Sequence, residues 1–146
     1  MDAHLKVALA QIAPVWLDKS ATLTKIETAI LEAANEEAEL IVFGEALLPG
    51  YPFWLALTEG AKWNLEINKA IHAHYARNAI QVEAGELEST WKLAREHGIA
   101  IYLGIIERAR NRGGHSLYAS LVYIDETGEI QSIHRKLQPT YEEGLT

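Results

Sequence analysis

An α/β fold is what this chain predicts, and three observations predict it. A stretch with helical periodicity, from Asp18 to about Glu39, lies between two short apolar runs at 6–12 and 40–43. Strand, helix and strand in that order imply parallel pairing through a right-handed crossover. The run at 99–107, Ile-Ala-Ile-Tyr-Leu-Gly-Ile-Ile-Glu, is apolar at odd and even positions alike, as in a central strand covered on both faces. Finally, Asp125-Glu126-Thr127-Gly128 separates two strand-like stretches at 117–124 and 129–134, the signature of a hairpin.

In chain order, the first strand is bounded by Pro14. Asp18 and Ser20 both suit the N-cap of the first helix, whose apolar stripe is Leu23, Ile26, Ile30, Ala33, Ala34 and Ala38. The second strand, 40–43, is broken by Gly44 and followed at once by Glu45. Ligands and chemistry collect at such strand exits in open α/β proteins. Pro49-Gly50 and Tyr51-Pro52 then stiffen a turn beside that carboxylate. One or two helices, interrupted near Gly60, are expected from Pro52 to about Ala79. A clearer helix at 85–97 carries Leu87, Trp91 and Ala94 inward and stops at Gly98. Residues 108–115 and 135–146 read as loops, without internal repeats or linkers anywhere.

Composition narrows the function classes. The 146 residues are 49% apolar and 23% charged, an ordinary globular balance. A net charge of −7 without a basic stretch argues against nucleic acid as the main partner. No apolar run has transmembrane length, and Met1-Asp2-Ala3-His4 is no signal peptide, so a cytoplasmic protein without a membrane partner is expected. There is no cysteine, hence no disulfide and no thiolate metal site. The histidines lack metal-ligand spacing; His72 and His74, two apart on a helix, do not share a face. Trp54, Trp63 and Trp91 suit either a pocket wall or the core.

The constellation with most chemical content joins two strand ends. Lys136 follows the last strand as Glu45 follows the second. If the two ends lie on the same side of one sheet, a carboxylate and an ammonium meet. The first can take a proton from a nucleophile, and the second can stabilise an anionic intermediate. The same pair is also compatible with a plain salt bridge.

Phe43-Gly44-Glu45, Pro49-Gly50-Tyr51-Pro52 and His134-Arg135-Lys136-Leu137-Gln138-Pro139-Thr140 together resemble the nitrilase branch of the carbon–nitrogen hydrolase superfamily. So do the opening Val7-Ala8-Leu9-Ala10-Gln11-Ile12-Ala13-Pro14 and the stretch Gly113-Gly114-His115-Ser116 leading into a strand. The resemblance implies an α-β-β-α sandwich, of which residues 1–146 would be a single, incomplete N-terminal domain portion. It implies a Glu-Lys-Cys triad, with Glu45 as general base, Lys136 as the cation for the tetrahedral intermediate, and Glu143 (Glu142 beside it) as a supporting loop glutamate. It implies hydrolysis of an organic nitrile to carboxylic acid and ammonia through a cysteine thioimidate, without metal or organic cofactor. It also implies a homo-oligomer at full length. Tyr51, Phe53 and Trp54, close after Glu45, are the candidate substrate-binding residues.

Two features depart from that family. The nucleophile is missing, since no cysteine is present, and Gly144 stands where an arginine usually follows the loop glutamate. Ser120 and Thr140 are poor substitutes for a thiolate without a dedicated activating site. The 146 residues alone are therefore expected to be inactive and, with half a sandwich absent, to expose apolar faces. Alternatives are a cyanide hydratase or dihydratase, with the same residues and a smaller substrate, and a non-catalytic binding or assembly subunit of nitrilase type.

Overall fold

Five strands pair in the order β1-β2-β3-β4-β5 in the computed structural model, which describes residues 4–110 and 115–140. β1 (Val7–Ala10), β2 (Leu40–Phe43) and β3 (Ala100–Arg108) are parallel. β4 (Leu117–Ile124) and β5 (Ile130–Arg135) continue the sheet antiparallel. The strand run expected at 99–107 is thus the central strand.

α1 (Lys19–Asn35) makes the crossover from β1 to β2. Asp18 is its N-cap, accepting a hydrogen bond from the Ala21 N–H at 2.9 Å. The helix stops earlier than the periodicity suggests, at Asn35 instead of Glu39. The N–H of Ala38 donates to Ala33 O and that of Glu37 to Ala34 O, while Glu37 takes a φ of 58°. That is a Schellman ending, made here without glycine, which is why the local sequence does not announce it. Ile26 and Ile30 are fully buried against the sheet, each contributing roughly 1.5–3 kcal/mol by removal from water.

Between β2 and β3 come α2 (Trp54–Leu57), α3 (Glu66–Asn78) and α4 (Glu88–His97). α4 ends as expected at Gly98, whose φ of 62° is left-handed. α1 and α4 cover one face of the sheet, over a core that includes Ile41, Phe43, Ile101, Leu103, Ile105, Val122 and Ile124. At its C-terminal half β3 is covered on the other face too, where Tyr75 of α3 and Ala79 just after it pack with Ala46 and Ile106. The rest of that second face is thinly covered. Leu9 is 79% exposed, Val7 and Leu121 are exposed, and Tyr102 stacks on Tyr123 at 4.6 Å. Leu9 pairs with Val42, Val42 with Tyr102 and Tyr102 with Tyr123, so these side chains share one face of the pleat.

The β4–β5 turn is held by Asp125. Its carboxylate accepts from the Thr127 hydroxyl and from the N–H groups of Thr127 and Glu129, and Gln131 donates to its second oxygen. The Thr127 hydroxyl foremost, with these other donors, holds the carboxyl down at about 2. Among the described residues no helix is long and apolar enough to cross a membrane.

Candidate functional site

The site forms where the chain leaves β2 and where it leaves β5. After Phe43 the backbone passes over the central strand. Leu48 forms a parallel bridge with Ile105, donating its N–H to Gly104 O at 3.3 Å and accepting from Ile106 N–H at 2.8 Å. Segment 46–50 is buried along that track. Glu45, just before it, is lifted to the surface.

Gly104 makes the crossing possible. A Cβ there would meet Gly44 O closer than any real Cβ contact, with Glu45 Cα at 2.8 Å and Ala46 N at 2.9 Å. All three are backbone atoms, which have nowhere to turn.

On the other side, the Lys136 N–H donates to Ala119 O at 2.8 Å and carries the ladder one residue beyond β5. Lys136 Nζ then donates to Glu45 Oε1 at 2.7 Å. The structure therefore brings together the two residues, 91 positions apart, that the strand-end argument singled out. Lys136 is the more enclosed partner, its side chain 29% exposed against 57% for Glu45. Two hollows of about 310 and 400 Å³ meet at Ala119, Lys136 and Leu137. The first has apolar and aromatic walls, among them Pro52, Tyr75, Ile106, Leu117 and Tyr118. Glu45, Gly104, Leu121 and His134 border the second.

The other sequence-predicted residues fall as follows. Tyr51 is half-buried and its hydroxyl bonds the Thr140 hydroxyl at 2.9 Å. Phe53 is exposed and stacks on Trp16 at 4.3 Å. Trp54 is buried, edge-on to Tyr75 at 6.3 Å. Neither hollow has any of the three in its wall. Trp63 is 93% exposed, whereas Trp91 lies under Arg95, so the tryptophans line no common wall. Glu142, Glu143 and Gly144 lie outside the described residues. No group of three or more potential metal-ligating side chains occurs among the described residues.

Sequence reasoning missed a second ionic cluster, on the opposite face of the sheet. Glu107, 1% exposed, accepts from Arg135 twice, Nη2 to Oε1 at 2.7 Å and Nε to Oε2 at 2.9 Å. Ser120 Oγ donates to the same Oε2 at 2.8 Å, and the guanidinium lies 4.4 Å over the Tyr118 ring. Burial pushes the Glu107 carboxyl up, but the hydrogen bonds from Arg135 and Ser120 and the arginine charge outweigh it, leaving the carboxyl below its ordinary value. The only signal in the sequence was a glutamate ending an otherwise apolar strand. This bond also removes Ser120 from consideration as a nucleophile, because its hydroxyl is buried and committed to Glu107.

Comparison with known proteins bears on the family and the fold. The family model "Carbon-nitrogen hydrolase" matches residues 6–145. An arylacetonitrilase of Hypocrea virens is 39% identical over 142 residues, which are 97% of this chain and 40% of that enzyme. A "Nitrilase 2" of an unknown prokaryotic organism is 34% identical over 137 residues, 94% of this chain and 42% of its own. Among solved structures, the NitN amidase of Nesterenkonia sp. AN1 superposes with a TM-score of 0.66 at 22% identity, covering 97% of this chain and 48% of its own. The chain spans about 40% of the length of the curated relatives it matches.

Proposed function

The chain belongs to the carbon–nitrogen hydrolase family, and from that premise we propose that it carries the base and the cation of a nitrile-hydrolysing active site. The observation that supports this most directly is the 2.7 Å contact of Lys136 with Glu45, built from two strand ends on one face of the sheet. In this reading Glu45 takes the proton of a cysteine thiol supplied from outside the 146 residues. The thiolate adds to the nitrile carbon, and the nitrogen is protonated to give a thioimidate. Water adds next, ammonia leaves, and a second water releases the carboxylic acid. Lys136, within reach of both Glu45 and the hollows, stabilises the negative charge that develops at each addition. Glu143 retains the supporting role implied by the family motif.

The substrate class we favour is an arylacetonitrile. The similarity to the arylacetonitrilase of Hypocrea virens supports this, as does the apolar and aromatic wall beside Lys136, which suits a ring better than cyanide. The thinly covered sheet face around Leu9, Tyr102 and Leu121 is where a second half of the sandwich would pack.

Kinetics of the cysteine-bearing, full-length enzyme test the assignment. Glu45→Gln should lower kcat on phenylacetonitrile by about 10²–10⁴-fold, as loss of a general base does. Lys136→Met should cost about 10²–10³-fold. The product should be phenylacetate with ammonia. Wild-type turnover in either variant would remove that residue from the mechanism, and turnover of cyanide alone would replace the substrate class.

A further inference from the structure

β5 is the edge strand of the described sheet, and nothing apolar fixes its register. Every side chain from Ile130 to His134 is exposed; only Arg135 is drawn inward. The Asp125 turn sets the register where β5 begins, but no buried face carries that register to the strand's far end, and a slip by one residue there would turn each side chain to the other face. The β4–β5 ladder already contains an irregularity at Tyr123/Ile124. For Lys136 such a slip is decisive, because its reach to Glu45 depends on the face it occupies.

Arg135 and Lys136 are neighbours in extended chain and so point to opposite faces. Arg135 takes the face of Glu107, and Lys136 takes the face of Glu45. The guanidinium presents a two-pronged fork to both oxygens of Glu107, and Ser120 fixes the second of these oxygens. The ring of Tyr118 closes over it. A fork on a carboxylate fixes direction as well as distance, which a lysine ammonium at the same place does not. Glu107 belongs to β3, the strand that also carries the Glu45 segment through Gly104 and Leu48. Both halves of the candidate pair are therefore referenced to one strand. An apolar pair would pack a partly buried site at lower desolvation cost, and register is the best-attested use of an ionic one.

We propose that the Glu107–Ser120–Arg135 cluster is a register lock that sets Lys136 against Glu45, which makes Arg135 and Glu107 positioning residues for the pair. The inference rests on the reading of Glu45 and Lys136 given above. It is tested without turnover, by zero-length coupling with a water-soluble carbodiimide. The reagent activates the Glu45 carboxyl, the Lys136 amine displaces it as the urea, and an amide bond joins two peptides that mass spectrometry identifies.

The wild-type chain should give the Glu45–Lys136 cross-link. Arg135→Met should lower its yield about tenfold or more, and Arg135→Lys, which keeps the charge but not the fork, should restore only part of it. Ile26→Val, which destabilises the core elsewhere, should leave the yield unchanged, separating register from general stability. In the cysteine-bearing enzyme, Arg135→Met should lower kcat with little change in KM. No cross-link in the wild type would overturn the pair itself. A wild-type cross-link that persists undiminished in Arg135→Met would overturn the lock and leave the pair intact. Should Arg135→Met not fold, an undiminished yield in Arg135→Lys has the same meaning.

Discussion

Gly104→Val should unfold the approach to Glu45 before it affects anything else. The new side chain would occupy the space of Gly44 O, Glu45 Cα and Ala46 N, all backbone. The segment can only lift. Its bridge to the central strand, through Leu48 N–H to Gly104 O and Ile106 N–H to Leu48 O, would then open. Ala46, Leu47 and Leu48, all buried, would lose their seats together. Overpacking of this kind costs about 1–3 kcal/mol, and the lost bridge places Gly104→Val at the upper end. The effect on chemistry should be larger still, since a displacement of about 1 Å in a positioned group costs on the order of 10²-fold in rate. Urea unfolding and the Glu45–Lys136 cross-link check the two parts separately. Gly44→Ala is the control: nothing lies within 4 Å of a Cβ there, so stability should stay within about 0.5 kcal/mol. Wild-type stability and cross-linking in Gly104→Val would show that the segment is not held where the structure has it.

The contrast between the two ionic clusters shows what a single chain makes legible. Glu45 and Lys136 were legible because each follows the end of a strand-like stretch, and strand ends are where open α/β folds present chemistry. The family resemblance then supplied their roles. Glu107 and Arg135 were not legible in the same way. Arg135 reads locally as the first residue of a loop, yet it is the last residue of β5, and its partner lies 28 positions away on a strand with which β5 does not pair. Pairing across an intervening strand is a property of register, and periodicity carries no register between strands. The same limit explains the helices. Asp18, one of the two N-cap candidates beside Ser20, and Gly98 are side-chain and glycine signals that the structure bears out, while Ser20 falls inside α1. The end of α1 is a backbone event at Glu37, with nothing in the residue type to mark it. Tyr51, Phe53 and Trp54 are close to Glu45 in sequence but are not in the walls of the hollows. The hollows beside Lys136 draw instead on α3, β3 and β4, through Tyr75, Ile106, Leu117 and Tyr118.

Arg135→Met should reverse the way the Glu107 region responds to acid. In the wild type the Glu107 carboxyl lies below its ordinary value of 4.5, because Arg135 and Ser120 together outweigh burial. The unfolded chain therefore binds the proton more readily than the folded one. The stabilising contribution is complete above the unfolded value and is lost as pH falls through the folded value. Without the guanidinium, burial is opposed only by the Ser120 hydroxyl, and the carboxyl moves up instead. Folding then favours the proton, so the variant should be most compromised at neutral pH and recover as the solution is acidified. Removing one partner of a buried pair costs about 3–5 kcal/mol. Arg135 retains 31% exposure, which places the neutral-pH loss near the lower end. Urea unfolding at pH 7 and pH 4 should show the gap between wild type and variant closing in acid. Two parallel pH profiles would mean that Glu107 is solvated enough not to need Arg135. A gap that closes in acid would instead mean that the end of β5, and with it the face on which Lys136 stands, is secured by a charge.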